Sequence, residues 1–224
     1  MNVFSDVFRD VVYALRTLRK NPGFTAVAVL TLALGIGANT TVFSVVEAIF
    51  NFPIPMDDPE KVTFVFSENL ERGITQNNAS MEDFLDWRDQ SQSFEYLAAS
   101  TPAAYNLAGS GEPVRIAAAH FSAGIFPLTG NSPILGRGFR PEENVSGAHR
   151  VTVLGHSFWQ QKFGGDPDVL GREVLLDEEP YTVIGVAPDG FFFGNPNTSL
   201  WTPLVLERGQ SERDDRSLVI LARL

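Results

Sequence analysis

The sequence predicts an α+β protein attached to a membrane helix, and three observations carry that prediction. No charged side chain occurs from Asn21 to Val46. Strand-like and helix-like segments interleave from Lys61 onward without a strict strand–helix–strand repeat. Charge is also unevenly divided. Residues 1–20 hold Arg9, Arg16, Arg19 and Lys20 against Asp6 and Asp10, net +2, while the remainder holds 13 basic and 25 acidic residues, net −12. The overall charge of −10 and the mean hydropathy of −0.01 for 224 residues average over these unlike parts.

In chain order, residues 1–22 come first. Phe4, Val7, Phe8, Val11, Leu15 and Leu18 recur at steps of three and four, with the basic residues largely off that stripe. This is the pattern of an amphipathic helix, lying in the membrane interface or against a cytoplasmic partner. Asn21-Pro22-Gly23 interrupts it, because proline lacks the N–H of a helix interior and glycine disfavours continuation.

Residues 23–50 read as a transmembrane helix. At ~1.5 Å per residue, Phe24 to Phe50 is about 40 Å long, enough for a hydrocarbon core of ~30 Å. A buried helix of a soluble protein normally carries a charged face, and this one has none until Glu47. A cleaved signal peptide would have a shorter apolar run and a small-residue cleavage site. By the positive-inside rule the N-terminus is cytoplasmic and the chain beyond about residue 50 is outside. Ala33, Gly37, Thr40, Thr41 and Ser44 fall on one helical face, a stripe of small and hydroxyl residues suited to packing against another transmembrane helix.

From residue 51 the texture is that of a compact mixed domain. Pro53, Pro55 and Pro59 mark a linker, and Lys61–Ser67 alternates like a strand. Ser80-Met-Glu-Asp83 has a capping-box pattern opening a helix that continues through Phe84, Leu85 and Trp87. Segments 94–108 and 113–121 read as strands, 122–130 as a short helix ending at Gly130, and 151–154 as a strand. Ser157–Phe163 reads as a helix capped by Ser157 and stopped by Gly164-Gly165. Residues 174–176 and 181–186 form a hairpin across Asp177-Glu-Glu-Pro180, and 218–224 a last strand. Leu135-Gly-Arg137 and Leu170-Gly-Arg172 recur, too short to make an internal repeat.

Chemistry is sparse. The absence of cysteine excludes disulfides, thiolate zinc sites and cysteine nucleophiles. The acidic balance argues against nucleic acid as a partner. No phosphate-binding P-loop is present, and Gly35-Ile-Gly37 lacks the third glycine of a dinucleotide fingerprint. His120, His149 and His156 have no metal-ligand spacing, and each reads as a surface or satisfied core residue. The acidic pairs Glu142-Glu143, Asp177-Glu178-Glu179 and Asp214-Asp215 read as solvated turns. No catalytic, cofactor-binding or metal-binding residue is therefore assigned, and the chain is not read as an enzyme. Phe191-Phe192-Phe193 is either an exposed contact patch or a buried core corner.

Several stretches in order resemble the permease subunits of MacB/FtsX-type ABC transporters. Asp10–Thr25 and Leu30–Ser44 are similar to their N-terminal helix and first span, especially in the Acidobacterial-type duplicated orphan permeases. The outer part resembles the MacB-like periplasmic core domain, through Phe84-Leu-Asp-Trp-Arg-Asp89, Gly111-Glu-Pro-Val-Arg115, Leu135-Gly-Arg137, Phe158–Pro167, Val169-Leu-Gly-Arg172 and Tyr181–Val186. The resemblance implies an inner-membrane permease with the outer domain between its first and second spans. Residues 51–224 would be that domain, incomplete at its C-terminal side and followed by further spans. A separate cytoplasmic ATPase would use ATP and magnesium and move the outer domain, for efflux or mechanical signalling. It also implies contact with membrane lipid, a homodimer or pseudo-dimer with a second permease half, and a periplasmic adaptor as a further partner. The residues alone leave two alternatives open: a membrane-anchored binding or adhesion module, and an anchored hydrolase.

Overall fold

A computed structural model describes residues 9, 13, 16, 18–50, 56–69, 73–109, 111–209, 211 and 214–224. The chain divides into two compact units, Met1–Pro53 and Ile54–Leu224. In the first, α1 (Pro22–Phe50) is a single helix of 29 residues. Pro22 has no N–H to offer, and the Thr25 hydroxyl donates to the Leu18 and Asn21 carbonyls at 2.7 and 2.9 Å. Those bonds occupy carbonyls at the break. Of the amphipathic stripe expected over residues 1–22, Phe4, Val7, Phe8, Val11 and Leu15 lie outside the described residues.

The second unit is α+β, as the sequence predicts. Its strands are β1 (Val62–Val65), β2 (Ser67–Asn69), β3 (Ile74–Asn77), β4 (Tyr96–Gly109), β5 (Gly111–Phe121) and β6 (Leu135–Gly136). They continue as β7 (Val151–Leu154), β8 (Glu173–Leu176), β9 (Glu179–Val186), β10 (Leu200–Pro203) and β11 (Val219–Arg223). The helices are α2 (Met81–Gln90), α3 (Ile125–Thr129) and α4 (His156–Phe163). The capping box forms: Ser80 Oγ accepts from Asp83 N and Asp83 accepts from Ser80 N. Ser157 is not a cap, however. Helix α4 starts one residue earlier, with Gly155 as N-cap and Ser157 exposed in the first turn. The second hairpin turns on Asp177 and Glu178 alone, both at positive φ (48° and 68°). A two-residue loop of that shape matches the twist of its strands.

Among the described residues nine strands form one sheet, in the order β1-β11-β4-β5-β10-β7-β9-β6. Strand β8 pairs with both β4 and β9. That extra pairing closes β4-β5-β10-β7-β9-β8 into a ring. Length is what lets β4 do this. Its Tyr96–Ser100 pairs β11, its Ser100–Gly109 pairs β5, and Leu107–Ala108 also reaches β8.

Alternation along the strands sorts the core into three clusters. Ala118, Leu154 and Leu200 face the interior of the ring, with Val174, Leu176, Tyr181 and Val183. Every ring strand contributes to this cluster, as an enclosed interior requires. The next residues along, Ala119, Val153 and Trp201, face the opposite side with Phe121, Phe126, Phe191 and Phe193. Ala99, Leu218 and Ile220 complete a third cluster under α2, where Phe84 and Leu85 are buried.

Candidate functional site

Two places in the chain could carry movement or contact: the exposed helix α1, and the junction where the outer unit begins. Among the described side chains of α1 most apolar ones are exposed, Phe24, Leu30 and Leu34 at 71, 61 and 72%, and Ala28 is half-buried. Of the expected packing stripe, Ala33, Gly37 and Thr40 are exposed, whereas Thr41 and Ser44 lie outside the residues whose side chains are described. Among the described residues no helix is long and apolar enough to cross a membrane. The described side chains of α1 cover only residues 22–37, 39 and 40.

The junction is built around Arg223, in β11. This strand pairs antiparallel with β1 in the register Val62↔Arg223 to Val65↔Ile220. The Arg223 guanidinium is only 12% exposed and donates from Nη1 to the carbonyls of Asp57 and Leu128, at 3.0 and 2.9 Å. Its Nη2 lies 3.6 Å from Asp58 and its Nε 4.0 Å from Glu95. Asp57 N donates to Thr129 O, and Leu224 N donates to Lys61 O, each at 3.0 Å. One cation thus ties the incoming segment to the last turn of α3 and to β11. Lys61, 2.8 Å from Asp58, holds that exposed carboxyl below the ordinary aspartate range by hydrogen bond and charge.

The sequence matches the family of the MacB-like periplasmic core domain over residues 25–224. The chain belongs to that family. Its fold is similar to the periplasmic region of MacB from Actinobacillus actinomycetemcomitans, at 17% identity and a TM-score of 0.56, covering 75% of this chain and 78% of that one. It is also similar to the extracellular domain of the ABC-type transporter YknZ from Gram-positive bacteria, at 18% identity and a TM-score of 0.50, covering 72% and 81%. At these identities the likeness is one of fold. No curated protein matches the chain. The MacB-like core domain places this chain among the permeases of ABC transporters, with an outer domain of the periplasmic or extracellular kind.

Several of the stretches that resemble the MacB-like domain have a structural task. Phe84-Leu-Asp-Trp-Arg-Asp89 is α2, with its apolar residues inward and its acids holding the returning chain. Arg208 donates to Asp86 and Asp89 at 2.8 and 2.9 Å, and Gly209 N to Glu82 at 2.6 Å. Arg216 bonds Ser67 Oγ and lies 3.8 Å from Asp83. The two Leu-Gly-Arg tripeptides flank β9. Arg137 N donates to Ile184 O, and Gly171 N to Val183 O. Gly136 and Gly171 both sit at positive φ (70° and 81°), and each arginine takes a local carboxylate. Arg172 pairs with Asp166 at 2.5 Å, and Arg137 forms a fork with Glu143 at 2.6 and 3.0 Å.

Glu143 therefore departs from the solvated reading of the acidic pairs. Its side chain is 12% exposed and also accepts from Arg140 N at 2.8 Å. Burial opposes its charge, but the Arg137 fork and the Arg140 amide outweigh burial and hold the carboxyl below the ordinary glutamate range. Beside it, Arg137 and Arg140 edge a groove of about 530 Å³ floored by Phe126, Pro127, Pro133 and Phe139.

The phenylalanine run is the buried corner. Phe191 stacks on Phe126 at 5.1 Å and meets Trp201 edge-on at 5.2 Å, while Phe193 packs on Phe121 and Phe64. Phe192, between them, is half-buried. The histidines are dispersed. His120 meets Thr202, His149 accepts from Gly147 N, and His156 lies 3.2 Å from Asp189. Among the described residues no group of metal-binding side chains converges. Two structural residues escaped the sequence. Arg223 lies within the expected last strand, 218–224, and is assigned no role of its own there. Asn144 accepts from Ala123 N and donates to the carbonyls of Phe121 and Leu204 at 3.2 and 2.7 Å. Neither has a local pattern, because its partners lie far away in the sequence.

Proposed function

We propose that the chain forms the first span and the outer domain of an ABC transporter permease, which passes motion driven by a separate cytoplasmic ATPase to that domain. Residues 1–22 lie at the cytoplasmic face, 23–50 span the membrane, and the domain from residue 51 stands outside. The stripe Ala33, Gly37, Thr40, Thr41 and Ser44 packs against another transmembrane helix, from the same permease or a second half. The observation that carries this reading is the Arg223 junction. Asp57, at the start of the outer domain, is tied to α3 and β11 by Arg223, which supports delivery to the sheet of a displacement that enters there.

The test has two arms. A reporter fused after residue 60 is active outside the cytoplasm; cytoplasmic activity overturns the topology. The full chain is then co-expressed with a cytoplasmic ABC ATPase subunit and the complex placed in nanodiscs. Stimulation of ATP turnover by the permease is lost in Arg223→Gln while the complex still assembles. Full stimulation in that variant removes the junction from the mechanism, and failure to capture any ATPase removes the transport reading.

A further inference from the structure

The interior of the ring changes character along β5 and β10. Ala118 and Leu200 belong to the apolar cluster, and two residues further on stand His120 and Thr202, directly paired in the sheet register. Thr202 is 1% exposed. Its Oγ1 lies 2.8 Å from His120 Nδ1 and 3.1 Å from the Tyr105 hydroxyl, so one buried oxygen joins β4, β5 and β10. The rings continue the network. Tyr105 meets His120 edge-on at 6.1 Å and Tyr181 at 5.8 Å, and Tyr181 meets His149 at 6.3 Å.

A hydroxyl has one proton to give. If Tyr105 donates to Thr202, then Thr202 donates onward to an unprotonated Nδ1. We propose that Tyr105–Thr202–His120 is a pH-sensitive latch across the ring, strongest while His120 Nδ1 is a bare acceptor and weakened when that nitrogen takes up a proton. Protonation turns the acceptor into a donor, forces both hydrogen bonds to reverse, and places a positive charge on a half-buried ring.

The surrounding groups do not compensate that charge. Strand β4 presents Thr101 and Tyr105. Strand β9 presents Tyr181, whose phenol burial and Tyr105 push well up, and Glu179, which is paired with Arg150 at 2.6 Å. The loop before β7 brings His149, and Glu207 accepts from Ser146 N in that same loop. Among the described residues no carboxylate hydrogen-bonds the His120 ring. Burial first, and the neighbouring His149 second, hold its imidazole below the ordinary histidine range. The unfolded chain therefore binds this proton more readily. The latch contributes fully above about pH 6.5 and is lost as pH falls from there through the folded value. The device belongs to the domain itself and does not depend on the transport reading.

The test is thermal unfolding of the full chain in detergent micelles from pH 8 to pH 5. The wild-type midpoint is expected to drop by several degrees below about pH 6.5. In His120→Asn, whose amide oxygen can still accept from Thr202 but cannot be protonated in this range, the drop is largely removed. His149→Gln reduces it by removing the like charge. A His120→Asn curve that parallels the wild type overturns the latch. Should that variant not fold, nitrogen NMR of wild-type histidines decides. An unprotonated Nδ1 at pH 7 with titration below about 6.5 supports the latch, and a protonated Nδ1 or titration at or above that value refutes it.

Discussion

Glu143 shows how much one carboxylate can be asked to hold. Its two oxygens accept from both ends of the Arg137 fork and from the Arg140 amide, so it fixes the turn after β6 from two sides. Replacing it by glutamine keeps the shape, loses the charge and supplies an N–H where an acceptor is needed. Glu143→Gln should destabilise the domain by about 1–3 kcal/mol, the usual range for a charge-assisted bond lost from a partly buried site. Chemical denaturation of the full chain measures it. The pH dependence has a definite sign. Because the folded carboxyl sits below its unfolded value, its contribution is complete above about pH 4.3 and disappears as pH falls through the folded value. The pH slope in that acidic window should be smaller in Glu143→Gln than in the wild type. The sequence placed this residue in a turn correctly, but adjacent acids in a turn are normally solvated. The fork exists only because the backbone turns Arg137 back over the turn. A second residue-scale feature is Trp201, fully buried with no acceptor for its indole nitrogen among the described residues. Its indole is packed edge-to-face with Phe191 at 5.2 Å and stacked with Phe121 at 5.7 Å.

Among the elements, β9 organises its neighbourhood, with β7 and β8 as paired strands and the two Leu-Gly-Arg tripeptides alongside. The glycines of these tripeptides share a backbone conformation but not their surroundings. A Cβ on Gly136 would stand 2.1 Å from Ile184 O, whereas one on Gly171 meets nothing within 4 Å. Gly171→Ala should therefore cost only the conformational strain, about 1–2 kcal/mol. Gly136→Ala adds a clash with backbone that cannot swing away, and should exceed about 3 kcal/mol. Equal unfolding midpoints for the two variants would contradict this account. The sequence showed the two tripeptides but could not rank them, since the difference lies in how closely β6 approaches β9. Elements with strong local signals were legible: the Ser80 capping box, the stop of α3 at Gly130, and β4 and β5 to within a few residues. Helix α4 was misread by one residue, because Ser157 looked like a cap while Gly155 fills that position without a side chain.

For the whole molecule, the charge-free stretch Asn21–Val46 and the acidic domain beyond it set the test of the proposed span. Helix α1 exposes Leu30 and Leu34 among the apolar side chains on its surface. Placing arginine at both should raise the cost of membrane insertion by about 6 kcal/mol. The full chain is expected to stay in the membrane pellet after alkaline carbonate extraction, and Leu30→Arg/Leu34→Arg to appear in the supernatant. Retention of the double variant in the pellet would refute the span. The sequence by itself determined the segregation of charge, the α+β class and many element boundaries, because these depend on composition, period and local capping, while the family resemblance rested on ordered stretches such as Phe84–Asp89. Only the tertiary structure decided the closed ring, the burial of Phe191 and Phe193, the Arg223 junction and the Tyr105–Thr202–His120 network. The reason is distance along the chain. The bond between Arg223 and Asp57 spans 166 residues and that between His120 and Thr202 spans 82, so neither leaves a pattern that a local reading can detect.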